Sequence, residues 1–129
     1  MQSSSLSNLA LLVGRMLLSA IFIKGGYDKF FGYDMTAAYM AKAGVPGALL
    51  PVVIFTEFVG GLLILVGWQT RLAAVALCGF TIIAALIFHR EFGQPGQEIN
   101  FYKNLAMAGG FLALFASGAG AYSADGRTI

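Results

Sequence analysis

The chain has 129 residues, 58% of them hydrophobic and 11% charged, with a mean hydropathy of +0.78. Soluble domains carry about 25% charged and about 45–50% apolar residues, so this composition cannot cover a water-exposed surface. A net charge of +2 without a basic run excludes a nucleic-acid partner, and a single cysteine, Cys78, excludes an internal disulfide.

In chain order, residues 1–8 carry no Lys or Arg, and Arg15 interrupts the first apolar stretch without a small-x-small cleavage site. The N-terminus therefore does not read as a cleaved signal. Four apolar segments follow, at residues 9–26, 48–68, 72–88 and 105–122. Each approaches the roughly 20 residues that cross a ~30 Å hydrocarbon core, and none alternates as a barrel strand would. The fold class predicted is all-α, a single-domain membrane four-helix bundle over residues 1–129. Residues 27–47 are too polar to span, but Met35, Ala38, Tyr39 and Met40 predict a short interfacial helix there, ended by Gly44 and Pro46. Gly67-Trp68-Gln69-Thr70-Arg71 reads as a tight turn at the membrane edge, making segments two and three an antiparallel hairpin. Residues 89–104 form the most polar connection.

Small residues recur at helical spacing. Gly109, Ala113 and Ser117 share a face of the last segment, Ala106 and Gly110 an adjacent one, and Thr56 and Gly60 recur in the second. Such stripes let backbones approach closely in lipid, and bundle packing is expected here rather than a dedicated dimerisation motif. Four spans put both termini and the 69–71 turn on one side with Arg71, Arg127 and Arg15. Lys24, Lys29, Lys42, Arg90 and Lys103 lie on the other, so the positive-inside rule predicts cytoplasmic loops and periplasmic termini.

Two ionisable groups fall at membrane depth, Arg15 in the first segment and Glu57 in the second. Inserting either alone costs on the order of 2.5–3.5 kcal/mol. Counting from the segment ends leaves them roughly 5 Å apart in depth, so an inward-facing Arg15–Glu57 pair is expected, either as a register-fixing contact or as a proton or ligand site. A second cluster, Lys24, Tyr27, Lys29, His89, Asn100, Tyr102, Lys103 and Asn104, collects at one mouth of the bundle. Lysines there often snorkel to headgroups. The alternative is a basic, aromatic pocket for an anionic or carbonyl-bearing head such as a quinone, with His89 exchanging protons. One His and one Cys cannot build a structural zinc site, and no haem, dinucleotide or phosphate-loop motif is present. No nucleophile–base–orienter set is visible.

The ordered set Arg15, Gly25-Gly26 with Lys29, Glu57-x-x-Gly60-Gly61, Gly67-x-x-Thr70-Arg71, His89 and Asn100-Phe101-x-Lys103-Asn104-Leu105 resembles the DoxX family of small bacterial membrane proteins. The tail Gly118-x-Gly120-x-Tyr122-Ser123-x-Asp125 fits the family's C-terminal pattern. The resemblance implies a multi-pass bundle in the bacterial inner membrane. It also implies a link to membrane oxidoreductase complexes and quinone-like aromatics, the family being named by association with a thiosulfate:quinone oxidoreductase. With only Cys78, relatives that work by paired thiols are a poor guide.

Three functions follow as expectations. The first is a quinone-associated redox subunit whose partner protein carries the electron-transfer cofactor. The second is transport of a small organic compound, with a homo-oligomer supplying a missing half. The third is a structural anchor for a partner complex. In each the lipid bilayer is the constant partner.

Overall fold

A computed structural model describes residues 5–126; Arg127, counted above for orientation, lies outside them. The described residues form helices α1 (Ser5–Phe31), α2 (Tyr33–Lys42), α3 (Leu50–Val66), α4 (Thr70–Phe88) and α5 (Gln97–Ser117), with a 3-10 turn, Gly47–Leu49, leading into α3. No strand occurs among them. The all-helical fold class and the short helix between the first two apolar segments are therefore present. α1, α4 and the 3-10 turn continued by α3 are long and apolar enough to cross a membrane. α5 matches them in length, but Gln97, Glu98, Asn100, Lys103 and Asn104 make its first two turns polar.

Several boundaries differ from expectation. α1 does not stop at Gly26 but runs to Phe31, because Tyr27, Asp28 and Lys29 are polar without being helix breakers. α5 stops at Ser117 rather than Tyr122, because Gly118 and Gly120 take positive φ (77° and 86°). α2 ends in a Schellman motif: Gly44 sits at φ 86° while Val45 N–H reaches Met40 O and Gly44 N–H reaches Ala41 O.

The polarity is inside-out for a soluble protein. Arg15, Ser19, Glu57, Thr70 and Thr81 are buried, whereas Leu17 and Leu72 are 73% and 69% exposed. Lipid gives apolar side chains no reason to leave the outer surface, so helices must associate through close packing and polar contacts. α1 packs chiefly along α3 and α4 along α5, while α1 and α5 touch only lightly. A Cβ on Gly26 would lie 2.7 Å from Phe58 Cβ, and one on Gly61 2.8 Å from Ile23 Cγ1. These glycines, not the last helix's stripe, bring backbones together. Gly109, Ala113, Ser117 and Ala106 are exposed, and a Cβ on Gly109 would meet nothing within 4 Å. The inner core is small: Phe22 meets Phe111 edge-on at 5.3 Å, with Ile64, Leu77 and Leu114 around them.

Candidate functional site

The glycine crossings fix the register of α1 against α3, and that register separates the two charges expected to pair. Gly26 lies opposite Phe58 and Ile23 opposite Gly61, so Glu57 faces the last turns of α1. Arg15 falls about three turns away, at the C-terminal end of α3. The Arg15–Glu57 pair is therefore not formed. Glu57 Oε1 instead lies 2.7 Å from Lys29 Nζ. The sequence estimate ended the first helix at Gly26, five residues or about one and a half turns before its true end at Phe31, and the glycine contacts set the rest of the shift.

Arg15 has a different task. Only 1% exposed, it donates through Nη1 to the carbonyls of Ile64 (3.2 Å) and Leu65 (2.9 Å), and through Nη2 to that of Tyr122. The last carbonyls of α3 have no intrahelical donors and carry the negative end of the helix dipole, so a guanidinium is the fitting cap. The neighbouring carbonyls are closed as well. Gly67 and Trp68 N–H reach Leu63 O, and Ala124 N–H reaches Val66 O. Asp125 then turns its carboxylate onto the start of α4, accepting from Gln69 N–H (2.9 Å) and Thr70 N–H (3.0 Å). Burial alone would raise the Asp125 carboxyl. The hydrogen bonds from Thr70 and Gln69, with the Arg15 charge, outweigh it and hold it below the usual carboxylate range. Arg71 Nε completes the set by donating to Phe115 O at 2.9 Å, near the end of α5. Glycine is required at position 67: its φ is 73°, and a Cβ would lie 2.4 Å from Ser123 Cβ. The two motifs Gly67-x-x-Thr70-Arg71 and Gly118-x-Gly120-x-Tyr122-Ser123-x-Asp125 thus meet in one clasp on the turn face, a contact their separation in sequence conceals.

At the opposite, loop face lies a cavity of about 620 Å³ bordered by all five helices. Its walls are mostly apolar, from Phe22, Met40, Phe80, Phe88 and Met107 among others. Its polar groups are Lys29, Thr36, Glu57, Thr81, His89 and Asn104. Glu57 reaches it past Gly25, where an added Cβ would lie 3.2 Å from Glu57 Oε2. His89 is held by a short relay: Gln97 Nε2 donates to Phe88 O (3.0 Å), which turns Gln97 Oε1 toward His89 Nδ1 at 2.8 Å. An amide oxygen only accepts, so Nδ1 carries a proton and Nε2 is the ring nitrogen left to the cavity. Asn104 Nδ2 donates to Thr81 O at 3.1 Å, which leaves its side-chain carbonyl to accept.

Of the residues expected at the mouth, the cavity gathers Lys29, His89 and Asn104, and it adds Glu57. Lys24 is exposed and pairs with Asp28 at 2.8 Å. Tyr27 is exposed against Phe31, and Lys103 is exposed. Asn100 is half-buried beside Gln97. The sequence reading missed Gln97 as the orienter of His89 and α2 as a wall. One clue to Lys29 was available: Phe22, Gly26 and Lys29 recur at helical spacing, on the stripe that Arg15 and Ser19 begin. Among the described residues no group of three His, Cys, Asp or Glu side chains could hold a metal ion.

Comparison with known proteins agrees with this architecture. The chain is 46% identical over 120 residues to inner membrane protein YqjF of Escherichia coli, covering 93% of this chain and 92% of the relative. It is 38% identical over 124 residues to inner membrane protein YphA of the same organism, covering 91% and 89%. A shorter match, 33% over 76 residues (59% of this chain, 56% of the relative), is to the "Putative oxidoreductase CatD" of Bacillus subtilis. No solved structure matches the chain. The DoxX family model matches residues 10–90, and the chain belongs to the DoxX family of membrane proteins.

Proposed function

We propose that this protein is a redox-linked membrane subunit that binds a quinone-class molecule in the loop-face cavity. The observation that carries the reading is the cavity itself: an apolar chamber holding one ion pair and one imidazole oriented by Gln97. A quinone ring offers two carbonyl oxygens to donors, and a protonated quinol offers hydroxyls to acceptors. Lys29 supplies the donor, and Glu57 and His89 Nε2 supply proton-accepting atoms within one low-dielectric space. The relative named as an oxidoreductase supports the redox class. Electron transfer itself falls to a partner protein carrying a redox group, and the inner membrane is the compartment its Escherichia coli relatives indicate. The excess of Lys and Arg in the two larger loops favours termini on the periplasmic side.

Titration of the purified protein with a ubiquinone or menaquinone analogue tests this. Saturable binding is expected, weakened about tenfold by Glu57→Gln and by His89→Ala, with little change in unfolding temperature. Absence of saturable binding removes the proposal. Lost thermal stability with unchanged affinity in Glu57→Gln would make the Lys29–Glu57 pair a packing device only.

A further inference from the structure

We infer that the ligand of the loop-face cavity carries a long apolar chain and enters sideways from the bilayer, between membrane-spanning helices, rather than from the aqueous face. The inference rests on the proposal above that this cavity binds a quinone-class head.

The walls toward the aqueous face are shut. α2 roofs the aqueous side: Met40 is buried, and the Tyr39 ring stacks on Phe88 at 5.4 Å. The connector after α2 folds back onto it, where a Cβ on Gly47 would lie 3.2 Å from Ala37 Cβ. The His89–Gln97–Phe88 hydrogen bonds close the corner between α4 and α5. The α1–α3 seam is shut by the contacts of Gly26 with Phe58 and of Gly61 with Ile23.

The α3–α4 seam behaves differently along its length. Near the turn it is tight, with a Cβ on Gly60 only 3.2 Å from Leu77. Toward the loop face, Val52 of α3 and Ile83 and Ile87 of α4 border the cavity, yet Val52 and Ile83 are 60% and 58% exposed. Side chains that face both the chamber and the exterior mark an opening here, as Ile21 of α1, 56% exposed, does on the side toward α5. The α3–α4 rim is aliphatic, and its depth is that of two helices apolar enough to span the membrane, so it faces acyl chains and not water. A polar solute has no path through such a rim. A molecule with a polar head and an alkyl or isoprenoid tail does: the head reaches Lys29, Glu57 and His89 while the tail stays between Val52 and Ile83 or trails into lipid.

The test uses the full chain in phosphatidylcholine nanodiscs and two probes, a ubiquinone ring with a decyl chain ending in a diazirine and the same ring without a chain. Photolysis is expected to label Val52, Ile83 or Ile87 at the α3–α4 rim, or Ile21 on the side toward α5, with labelling suppressed by the untagged decyl compound. Suppressible labelling confined to residues 91–96 would overturn the route, as would binding without suppressible labelling at any of these rim residues. Val52→Trp and Ile83→Trp are expected to weaken the chain-bearing probe about tenfold, the scale on which overfilling a packed site acts, and the bare ring less than about twofold. Equal effects on both probes would overturn the inference and leave quinone binding standing. Failure of both probes to bind saturably would remove the binding proposal and this inference with it. Should either variant fail to fold, the labelling of the unaltered protein decides.

Discussion

On the turn face, Arg15, Arg71 and Asp125 lie against backbone carbonyls and N–H groups at the ends of α3, α4 and α5. On the loop face, Lys29, Glu57 and His89 border a cavity of about 620 Å³. Both regions hold charges that are costly to place in a membrane protein, but the surroundings differ. In the clasp the charges meet fixed dipoles of the protein's own backbone. In the cavity the charges pair with one another at the edge of a space, where a guest can compete for them. A charged residue near membrane depth is by itself ambiguous; what fills the volume beside it separates a structural role from a binding role.

Removing a clasp charge is the strongest way to break this contrast. Arg15→Ala leaves the Ile64, Leu65 and Tyr122 carbonyls without their donor and Asp125 without its nearby cation, so a loss of about 3–5 kcal/mol is expected. Thermal unfolding in mild detergent should show most of the protein lost near growth temperature. Unaltered unfolding with lost ligand binding would instead move Arg15 into the functional site. Next in size, Gly67→Ala forces a side chain onto a φ of 73° and against Ser123, and about 1–3 kcal/mol should be lost. A melting temperature equal to that of the unaltered chain would mean that the tail does not close over the turn.

Asp125→Asn should cost about 1 kcal/mol, the scale of a helix N-cap carboxylate. Here the pH dependence is diagnostic. The folded pKa of Asp125 is depressed, so its stabilisation is fully present above the ordinary aspartate value of about 3.9 and is lost as the pH falls through the lower folded value. The gap in unfolding temperature between the two proteins should be constant from neutral to mildly acidic pH and close in stronger acid. A gap that instead closes on going from pH 5 to pH 7 would contradict the depressed value. The smallest effect is expected for Gly109→Leu, on the exposed face of α5, within about 0.5 kcal/mol. A change in oligomeric state by size-exclusion chromatography would show that a second copy covers this stripe.

Much of the architecture was legible in the sequence. Composition and the length of the apolar segments gave an all-helical membrane fold, and the polar interval after the first segment gave α2. The ordered Gly, Glu, Arg and Asn positions were enough for the family. Helix ends were less legible where no breaker marks them. Nothing in Tyr27, Asp28 and Lys29 says that α1 ends or continues, yet the position of Lys29 over Glu57 depends on it. The clasp was legible only as two motifs, because Gly67 and Asp125 meet through the return of α5.

The sequence by itself determined that the chain belongs in a membrane, because too few charged residues are present to cover a soluble surface. It also determined which side chains would be costly there, since Arg15 and Glu57 sit inside apolar runs whatever the fold. Only the tertiary structure decided what each charge meets. That choice is set by helix register, and register is fixed by close contacts at Gly26 and Gly61 whose partners lie on another helix. A shift of a few turns would exchange a capped helix end for a cavity-lining ion pair, and no local pattern in the chain records the difference.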